Sequence, residues 1–576
     1  MEASGATVVR RHLGRRALIA GGALAAVWLT ACGSGSDRSG NARPRARATA
    51  VAVPTVEEVP GRRGGVYRLR VAATAPLDPF ATGSFRAYVQ AGFTMSRLFM
   101  FVTGPRPETA YDYAVTGDLA QGHELADGGL RLTVTLHPRA RFHDKPPVAG
   151  RAVTAEDVRL SLERFRAATR NPNRAAFGTA DEPLIDTVET PDERTLALRL
   201  ARPYAPAFGL LANPSYLWVF PREVDGGYAP ERDQIGSGPF VLHSLQQDVE
   251  TRLVRNSAWH GSEERPYVDA LVQVVSPEAA QEVALFQTER IDSATLSFED
   301  RARVERTNPK ARWLTYTVPA YTFLSPQQRG ASPWRDERLR QALSLAIDRT
   351  AWIDEQFGGQ GGRLHGALPA AFGRWWVDPG GADAGPGARF FRHDPKEARA
   401  LLRAAGQEGI AFRFIYPHNA FGERWGRGAE ATAKMLREAG FAPQPVPQDF
   451  AREFSDPRGT FFGGYEGVFY GLATPAVEPH DFLYGMLHSR SRRNHAGIAD
   501  PRLDALIEEQ ARTLDAGARL ERVRAIQRYL LERLYYVPLA TGDGHVALQP
   551  WVRRYHYSPT YGAGTETFAG VWLERD

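Results

Sequence analysis

The stretch that decides the fold, residues 130–165, reads LRLTVTLHPRARFHDKPPVAGRAVTAEDVRLSLERF. Apolar side chains alternate with polar or small ones at its start, which predicts a half-buried strand that ends before Pro138. Thr154 is followed three residues later by Asp157, the spacing of a capping box, in which each side chain accepts a backbone N–H of the other residue. The stretch therefore predicts a strand, a loop and a capped helix, with one helical face buried through Val158, Leu162 and Phe165.

Positive charge is concentrated at the N-terminus of this 576-residue chain. The formal net charge is +5, but residues 1–63 contain ten arginines and four acidic residues. Residues 64–576 are therefore close to neutral, which argues against binding to nucleic-acid phosphates. The chain is 43% hydrophobic and 24% charged, as in globular proteins, and its length predicts two or three lobes.

The first 63 residues resemble a bacterial lipoprotein leader followed by a flexible tether. Two arginines precede a short apolar run, and Leu-Thr-Ala-Cys-Gly at 29–33 is similar to a lipobox, which implies acylation of Cys32. The alternative is a buried free cysteine, but the residues after it are rich in Gly, Ser, Arg and Pro and cannot form a core. We expect a signal peptide at 1–31 and a tether at 32–63, with Sec and Tat export both open.

Other motifs follow along the chain. Gly236 to Pro239 read Gly-Ser-Gly-Pro, Arg255 to Trp259 read Arg-Asn-Ser-Ala-Trp, and residues 333–349 read PWRDERLRQALSLAIDR. Leucines and isoleucine repeat every four residues in this last segment, which predicts a helix with one apolar face. The apolar residues 93–102 are also predicted to be helical.

These motifs and the opening stretch together resemble the family 5 extracellular solute-binding proteins, the peptide and nickel receptors of ABC importers. The resemblance implies an α/β fold of the periplasmic-binding-protein-like type II (cluster C), with two mixed-sheet lobes joined by a hinge and an extra subdomain. It also implies a division into lobe I (64–92, 225–318 and 548–576), lobe II, the extra subdomain (93–224), and lobe III (319–547).

The family's amine-binding position is altered in this sequence. In peptide-binding members, an aspartate three residues before an acidic-Pro pair neutralises the amino terminus of the ligand. Glu478-Pro479 resembles that pair, but the residue three positions earlier is Pro475. A buried ammonium without a carboxylate partner is costly, so Glu478, Asp481 or another acid would have to take this role.

The resemblance implies a cleft lined by aromatic and polar side chains, each of which could equally belong to the core. The predicted ligand-binding residues are Tyr88, Tyr321, Phe323, Trp375, Trp376, Tyr470, Leu472, Thr474, Glu478 and Asp481. We expect no metal, no cofactor and no catalytic residues. A nickel or haem ligand would need a cleft histidine, for which His365 and His480 are candidates, and a sugar-type ligand is a further alternative.

The motifs favour a receptor over an enzyme. No His-Glu-x-x-His is present, and a single cysteine excludes a thiolate metal cluster. A secreted hydrolase stays open as the alternative class, because carboxylate pairs can be distant in sequence. The expected function is capture of an oligopeptide or similar small polar solute and its delivery to an ABC permease. A signalling or folding role is a second rival.

The expected protein is a monomer on the periplasmic, extracytoplasmic face of the cytoplasmic membrane. Acylated Cys32 would hold it to the bilayer, since no second apolar run long enough to span a membrane follows. Its expected partners are the solute, the permease and the lipid, with no nucleic acid.

Overall fold

The structure of the chain is a computed structural model that describes residues 61–575, apart from 105–112, 179–182, 279, 359–360, 423, 457, 474–477 and 561. The predicted leader, Cys32 and nearly all of the predicted tether therefore lie outside the described residues.

Strands and helices alternate along the described chain. The strands are β1 (Val66–Val71), β2 (Phe99–Phe101), β3 (Val115–Gly117), β4 (Ala120–Ala126), β5 (Arg131–Leu136), β6 (Ile185–Asp192), β7 (Thr195–Leu200), β8 (Phe240–Gln246), β9 (Glu250–Arg255), β10 (Ala270–Val275), β11 (Ser293–Leu296), β12 (Arg312–Thr317), β13 (Tyr321–Pro326), β14 (Arg363–Leu364), β15 (Ala411–Pro417), β16 (Ala442–Gln448), β17 (Val468–Ala473), β18 (Val537–Pro538), β19 (Ala540–Thr541), β20 (Asp543–Leu548), β21 (Val552–Arg553) and β22 (Trp572–Leu573). The α-helices are α1 (Phe85–Thr94), α2 (Ala155–Ala167), α3 (Ala207–Ala212), α4 (Ala280–Gln287), α5 (Phe298–Thr307), α6 (Glu337–Ala346), α7 (Arg349–Phe357), α8 (Pro395–Ala404), α9 (Trp425–Glu438), α10 (Pro479–Leu487), α11 (Pro501–Arg512), α12 (Ala516–Arg533) and α13 (Ala563–Glu566).

Lobe I contains a mixed seven-stranded sheet in the order β12-β20-β11-β1-β10-β9-β8. β1 runs parallel to β10, whereas β20 is antiparallel to both β11 and β12. β20 lies in this sheet, although the predicted boundary assigned residues up to 547 to lobe III. The C-terminal part of the chain thus returns to the lobe in which the described part begins.

Lobe II is built on the antiparallel sheet β4-β5-β7-β6, and it confirms the prediction for the opening stretch. Asp157 Oδ2 accepts the Thr154 N–H at 2.9 Å, and the Thr154 hydroxyl accepts the Asp157 N–H at 3.4 Å. α2 begins at this capping box and buries Val158, Leu162 and Phe165. Local sequence therefore determines both elements.

The predicted helix over residues 93–102 is wrong. α1 ends at Thr94, and Phe99 and Phe101 lie on β2, which pairs with β3. Both phenylalanines are buried while Met100 between them is partly exposed, the period of two that a strand requires. An apolar run of this length is compatible with either structure, and pairing with β3 decides it.

Lobe III contains the mixed sheet β16-β15-β17-β13-β18. Its edge strand β16 has prolines at alternate positions, Pro443, Pro445 and Pro447. The intervening N–H groups point inward, since Ala442 donates to Ile410 O at 2.9 Å. The prolines therefore remove the donors on the open side of the edge, where another strand would otherwise pair.

Two neighbouring chain segments connect lobe I to lobe III. They lie between β12 and β13 and between β19 and β20, where Val318 N–H donates to Gly542 O at 3.0 Å. The Thr541 hydroxyl donates in turn to Val318 O at 2.5 Å. A pair of short crossing segments is the geometry of a hinge. Among the helices of the described chain, none combines the length and apolar character needed to cross a membrane.

Candidate functional site

The predicted ligand-binding residues of lobe III lie on β13, on β17, in the segment before Val377 and at the start of α10. Four have buried side chains: Tyr321, Phe323, Trp375 and Tyr470. Leu472 and Trp376 are partly exposed. Thr474 falls outside the described residues, as does Pro475. Most of the predicted aromatic residues therefore already have packing partners inside lobe III.

The packing of β13 against β17 accounts for this burial. The strands are antiparallel, with Phe323 opposite Gly471. The Phe323 ring lies 5.5 Å from Phe469 and 5.1 Å from Tyr536, while the Tyr470 ring lies 4.3 Å from Trp425. These side chains stabilise the sheet that supports the site.

Glu478 is held within lobe III by two interactions. It is the N-cap of α10, and its Oε2 accepts the His480 N–H at 2.6 Å. Its Oε1 forms an ion pair with Arg519 of α12, and both side chains are almost fully buried. Arg519 also donates to Gln510 Oε1 at 3.2 Å and lies over the Trp375 ring at 5.2 Å. Both oxygens of Glu478 therefore have partners before any ligand arrives.

Asp481 lies one turn further along α10, at the contact between lobes II and III. The Tyr216 hydroxyl of lobe II donates to its Oδ2 at 3.4 Å. Burial, followed by the negative charge of Glu478, raises the pKa of Asp481 to about 7, and Arg493 opposes this rise. Burial and the neighbouring Asp481 also raise the pKa values of Tyr204 and Tyr216 well above the ordinary value. The site therefore joins two neutral phenols to a carboxyl that titrates near neutral pH.

Tyr88 connects lobe I to this contact between lobes II and III. Its hydroxyl accepts the Nδ2–H of Asn173 in lobe II at 3.1 Å, and that amide also donates to Ser215 O at 3.3 Å. Ser215 precedes Tyr216, which contacts Asp481 of lobe III. The three lobes thus meet in the group formed by Tyr88, Asn173, Tyr204, Tyr216 and Asp481, which we call the three-lobe junction.

Further contacts hold lobes II and III together beside this junction. The Ala205 N–H donates to Ala511 O at 2.7 Å, and the Tyr204 ring meets the His480 ring edge-on at 5.5 Å. The Tyr113 hydroxyl donates to Ala371 O at 2.8 Å. Lobes II and III are therefore closed on each other.

The two candidate histidines are buried and engaged. Burial lowers the pKa of His365 and that of His480 to about 3. His365 Nδ1 accepts the Ala370 N–H at 3.3 Å, and His480 Nδ1 lies 2.7 Å from Gln510 Nε2. Within the described ranges, no group of three or more His, Cys, Asp or Glu side chains is arranged to hold a metal.

The residues predicted from the sequence include Tyr88 and Asp481 of the three-lobe junction but not Asn173, Tyr204 and Tyr216. Tyr216 and Asp481 are 265 residues apart, so no local spacing connects them. The one available signal was the run of tyrosines and prolines at 203–216, which is compatible with many roles.

The chain matches the family model described as bacterial extracellular solute-binding proteins, family 5 middle, over residues 114–494. It is 24% identical to the probable D,D-dipeptide-binding periplasmic protein DdpA of Escherichia coli, over 77% of this chain and 83% of that protein. It is also 24% identical to heme-binding protein A of Haemophilus influenzae, over 79% of this chain and 84% of that protein.

Solved structures are similar over most of the chain. The oligopeptide-binding protein AppA of Bacillus subtilis, in complex with a nonapeptide, aligns with a TM-score of 0.68 and 18% identity over 89% of this chain and 100% of that one. HbpA2 of Haemophilus parasuis aligns with a TM-score of 0.73 and 21% identity, over 89% and 100% of the two chains. The fold is thus that of the type II periplasmic binding proteins, as predicted. The chain belongs to the family 5 bacterial extracellular solute-binding proteins, which are binding proteins of ABC transporters and not enzymes.

Proposed function

We propose that this chain is the extracytoplasmic receptor of an ABC importer and captures an oligopeptide or a similar small polar solute between its lobes. The main support is the three-lobe junction, at which Tyr88, Tyr216 and Asp481 come together from separate lobes. Closure of hinged lobes around a ligand excludes water and brings polar groups from different lobes onto it. The D,D-dipeptide-binding relative and the nonapeptide complex favour a peptide ligand.

The proposed binding surface extends from the junction along lobe III. Trp376 and Leu472, both partly exposed, are the other predicted residues that a ligand would contact. Thr474 retains its proposed role on sequence grounds alone. Tyr321, Phe323, Trp375 and Tyr470 would shape the wall from behind, since their side chains are buried. Glu478 would contribute through its ion pair, which fixes the start of α10.

Release of the ligand unchanged is part of the proposal.

The heme-binding relative suggests haem as another ligand of this fold. His365 and His480 give that alternative little support, because both rings are buried and the Nδ1 atom of each is already hydrogen-bonded. Peptide or similar polar solute is therefore the preferred ligand class.

The proposed receptor acts as a monomer anchored to the membrane. The prolines of β16 favour a monomer, since they remove the donors from the open sheet edge. The lipobox-like sequence supports acylation of Cys32. Replacing Cys32 with serine should move the protein from the membrane fraction to the soluble fraction, and unchanged membrane association would refute the anchor.

Native mass spectrometry of the protein purified from its own host tests the binding function. The expected spectrum shows the protein with one non-covalently bound small molecule, which is recovered intact after denaturation. Isothermal titration with trialanine should then show one site per chain on the ligand-free protein. Recovery of cleavage products, or their accumulation during titration, would support a hydrolase instead.

A further inference from the structure

Gln527 binds the backbone on both sides of Trp376, one of the proposed ligand contacts. The glutamine side chain belongs to α12 and is fully buried. Its Nε2 donates to Trp375 O at 2.6 Å, and its Oε1 accepts the Val377 N–H at 3.0 Å. Nε2 also donates to Val523 O at 3.3 Å. Both ends of the amide therefore have backbone partners.

These hydrogen bonds fix the direction of the Trp376 side chain. Trp376 has an extended backbone, with φ −70° and ψ 139°. The C=O before an extended residue and the N–H after it point to the same side, so one amide can bind both, as a peptide unit of a neighbouring strand would. Trp375 and Val377 are buried, whereas Trp376 between them is partly exposed. The amide thus holds the two neighbours inside lobe III and leaves the indole between them directed outward.

The segment 365–377 lies where lobe III meets the other two lobes. It begins beside the hinge, where the His365 N–H donates to Leu539 O at 2.9 Å. Further along, Ala371 O accepts the hydroxyl of Tyr113 from lobe II at 2.8 Å. The partly exposed indole at the end of this segment is therefore close to the space that the lobes enclose when they shut.

The indole of Trp376 can offer ring carbon to a ligand but not its N–H. The Nε1 atom is buried, and a Cβ added at Gly366 would lie 3.4 Å from it. A tryptophan ring buries a large apolar area against an aliphatic side chain. A polar side chain would lose its hydration there without gaining a hydrogen bond. The exposed part of Trp376 therefore favours an apolar side chain.

We propose that Trp376 makes the receptor selective for peptides with apolar side chains, and that Gln527 is the positioning residue that holds the indole in place. The inference rests on the proposed function, since it concerns a peptide held between the lobes. An indole that is already oriented loses less conformational freedom when the ligand binds. Loss of the hydrogen bonds from Gln527 should therefore weaken the binding of apolar peptides and leave polar peptides almost unaffected.

Titration calorimetry at pH 5.0 with trileucine and triserine tests the inference. All side chains of each peptide are identical, so the result does not depend on which residue contacts the indole. The proteins are the wild type, Trp376→Ala, Gln527→Met and Gln341→Met. Gln341 is the matched control, because it is a buried glutamine of lobe III that donates to Glu532 O and not to the segment 365–377. Circular dichroism checks the fold, and Gln527→Leu replaces Gln527→Met if that variant does not fold.

The wild type and Gln341→Met should prefer trileucine by about tenfold or more, because a leucine side chain is buried against the indole. Trp376→Ala should lose most of this preference. Gln527→Met should lower the affinity for trileucine by about threefold or more, since the indole must then be ordered on binding. Its affinity for triserine should stay within about twofold of the wild-type value.

Gln527→Glu separates positioning from packing. Burial keeps the introduced carboxyl protonated at pH 5.0, and a neutral carboxyl can donate and accept as the amide does. This variant should therefore keep the preference that Gln527→Met loses. In ¹⁹F NMR spectra of protein that contains 5-fluorotryptophan, the Trp376 signal is assigned by its absence in Trp376→Phe. That signal should broaden in Gln527→Met and stay sharp in Gln341→Met.

Full preference in Gln527→Met, with an unchanged Trp376 signal, would overturn the inference and leave the receptor function intact. Equal losses in Gln527→Met and Gln341→Met would overturn it as well, and so would a wild type that binds both peptides without preference. Binding of neither peptide by the wild type would refute the peptide function itself, and the inference with it.

Discussion

Arg519→Met should destabilise lobe III strongly, because it leaves the Glu478 carboxylate buried without a cation. Exposure of the two side chains in this ion pair is only 1% and 2%. Removing one partner of such a pair costs about 3–5 kcal/mol, since the remaining charge is desolvated and uncompensated. Glu478→Gln should cost less than Arg519→Met, because its amide oxygen can still accept the His480 N–H that caps α10.

The double variant Arg519→Met/Glu478→Gln removes both charges. Its loss of stability should be smaller than the sum of the single losses by about 2 kcal/mol or more, because neither charge is left unpaired. Urea unfolding followed by tryptophan fluorescence suits this measurement, since Trp375 lies 5.2 Å from the Arg519 guanidinium. Far-UV circular dichroism should report the same transition.

Lys434→Met is the control for this double-mutant cycle. It breaks a surface ion pair in which Lys434 and Glu438 lie 4.0 Å apart, with side chains that are 75% and 60% exposed. Its effect should stay within about 0.5 kcal/mol, because solvent screens exposed pairs. Additive losses in the Arg519/Glu478 double variant would refute the reasoning, since they would mean that the two buried charges do not stabilise each other.

Four further variants test local features. In α9, Gly426→Ala should raise the free energy of unfolding by about 0.5–1 kcal/mol, because its Cβ would meet open space. Gly428→Ala should lower the free energy of unfolding by about 1–3 kcal/mol, because the new Cβ would overlap the buried side chain of Gln356. Thermal unfolding of these two single variants should show shifts of the melting temperature in opposite directions. Pro445→Thr/Pro447→Thr should make the protein self-associate in analytical ultracentrifugation, because it restores outward N–H donors to the edge strand; a monomeric variant would contradict this. Thr154→Ala should cost about 1 kcal/mol in urea unfolding through loss of the capping box.

Elements with a strong local signal could be predicted from the sequence. The capping box at Thr154 and the alternation in β5 use neighbouring residues only, and both appear where expected. The apolar run at 93–102 lacked such a signal. Its second half became β2 because β3 lies beside it, and the spacing within the run cannot indicate that neighbour.

The motifs spread along the sequence also sufficed to identify the family and the type of fold. The lobe boundaries were less accessible, since β20 joins strands more than 200 residues earlier in the chain. Pairing over such separations depends on the assembled sheet, and no local pattern records it.

In the candidate site, too, the sequence determined some features and the tertiary structure determined others. The sequence by itself determined that Pro475 stands where family members have an aspartate, and that Glu478 and Asp481 are the acids nearest to it. Only the tertiary structure decided which side chains surround each of these two acids. Arg519, from a helix 41 residues away, pairs with Glu478, whereas Tyr216, 265 residues away, approaches Asp481 from another lobe. The availability of a carboxylate depends on which side chains surround it after folding, and that environment is a property of the packed lobes.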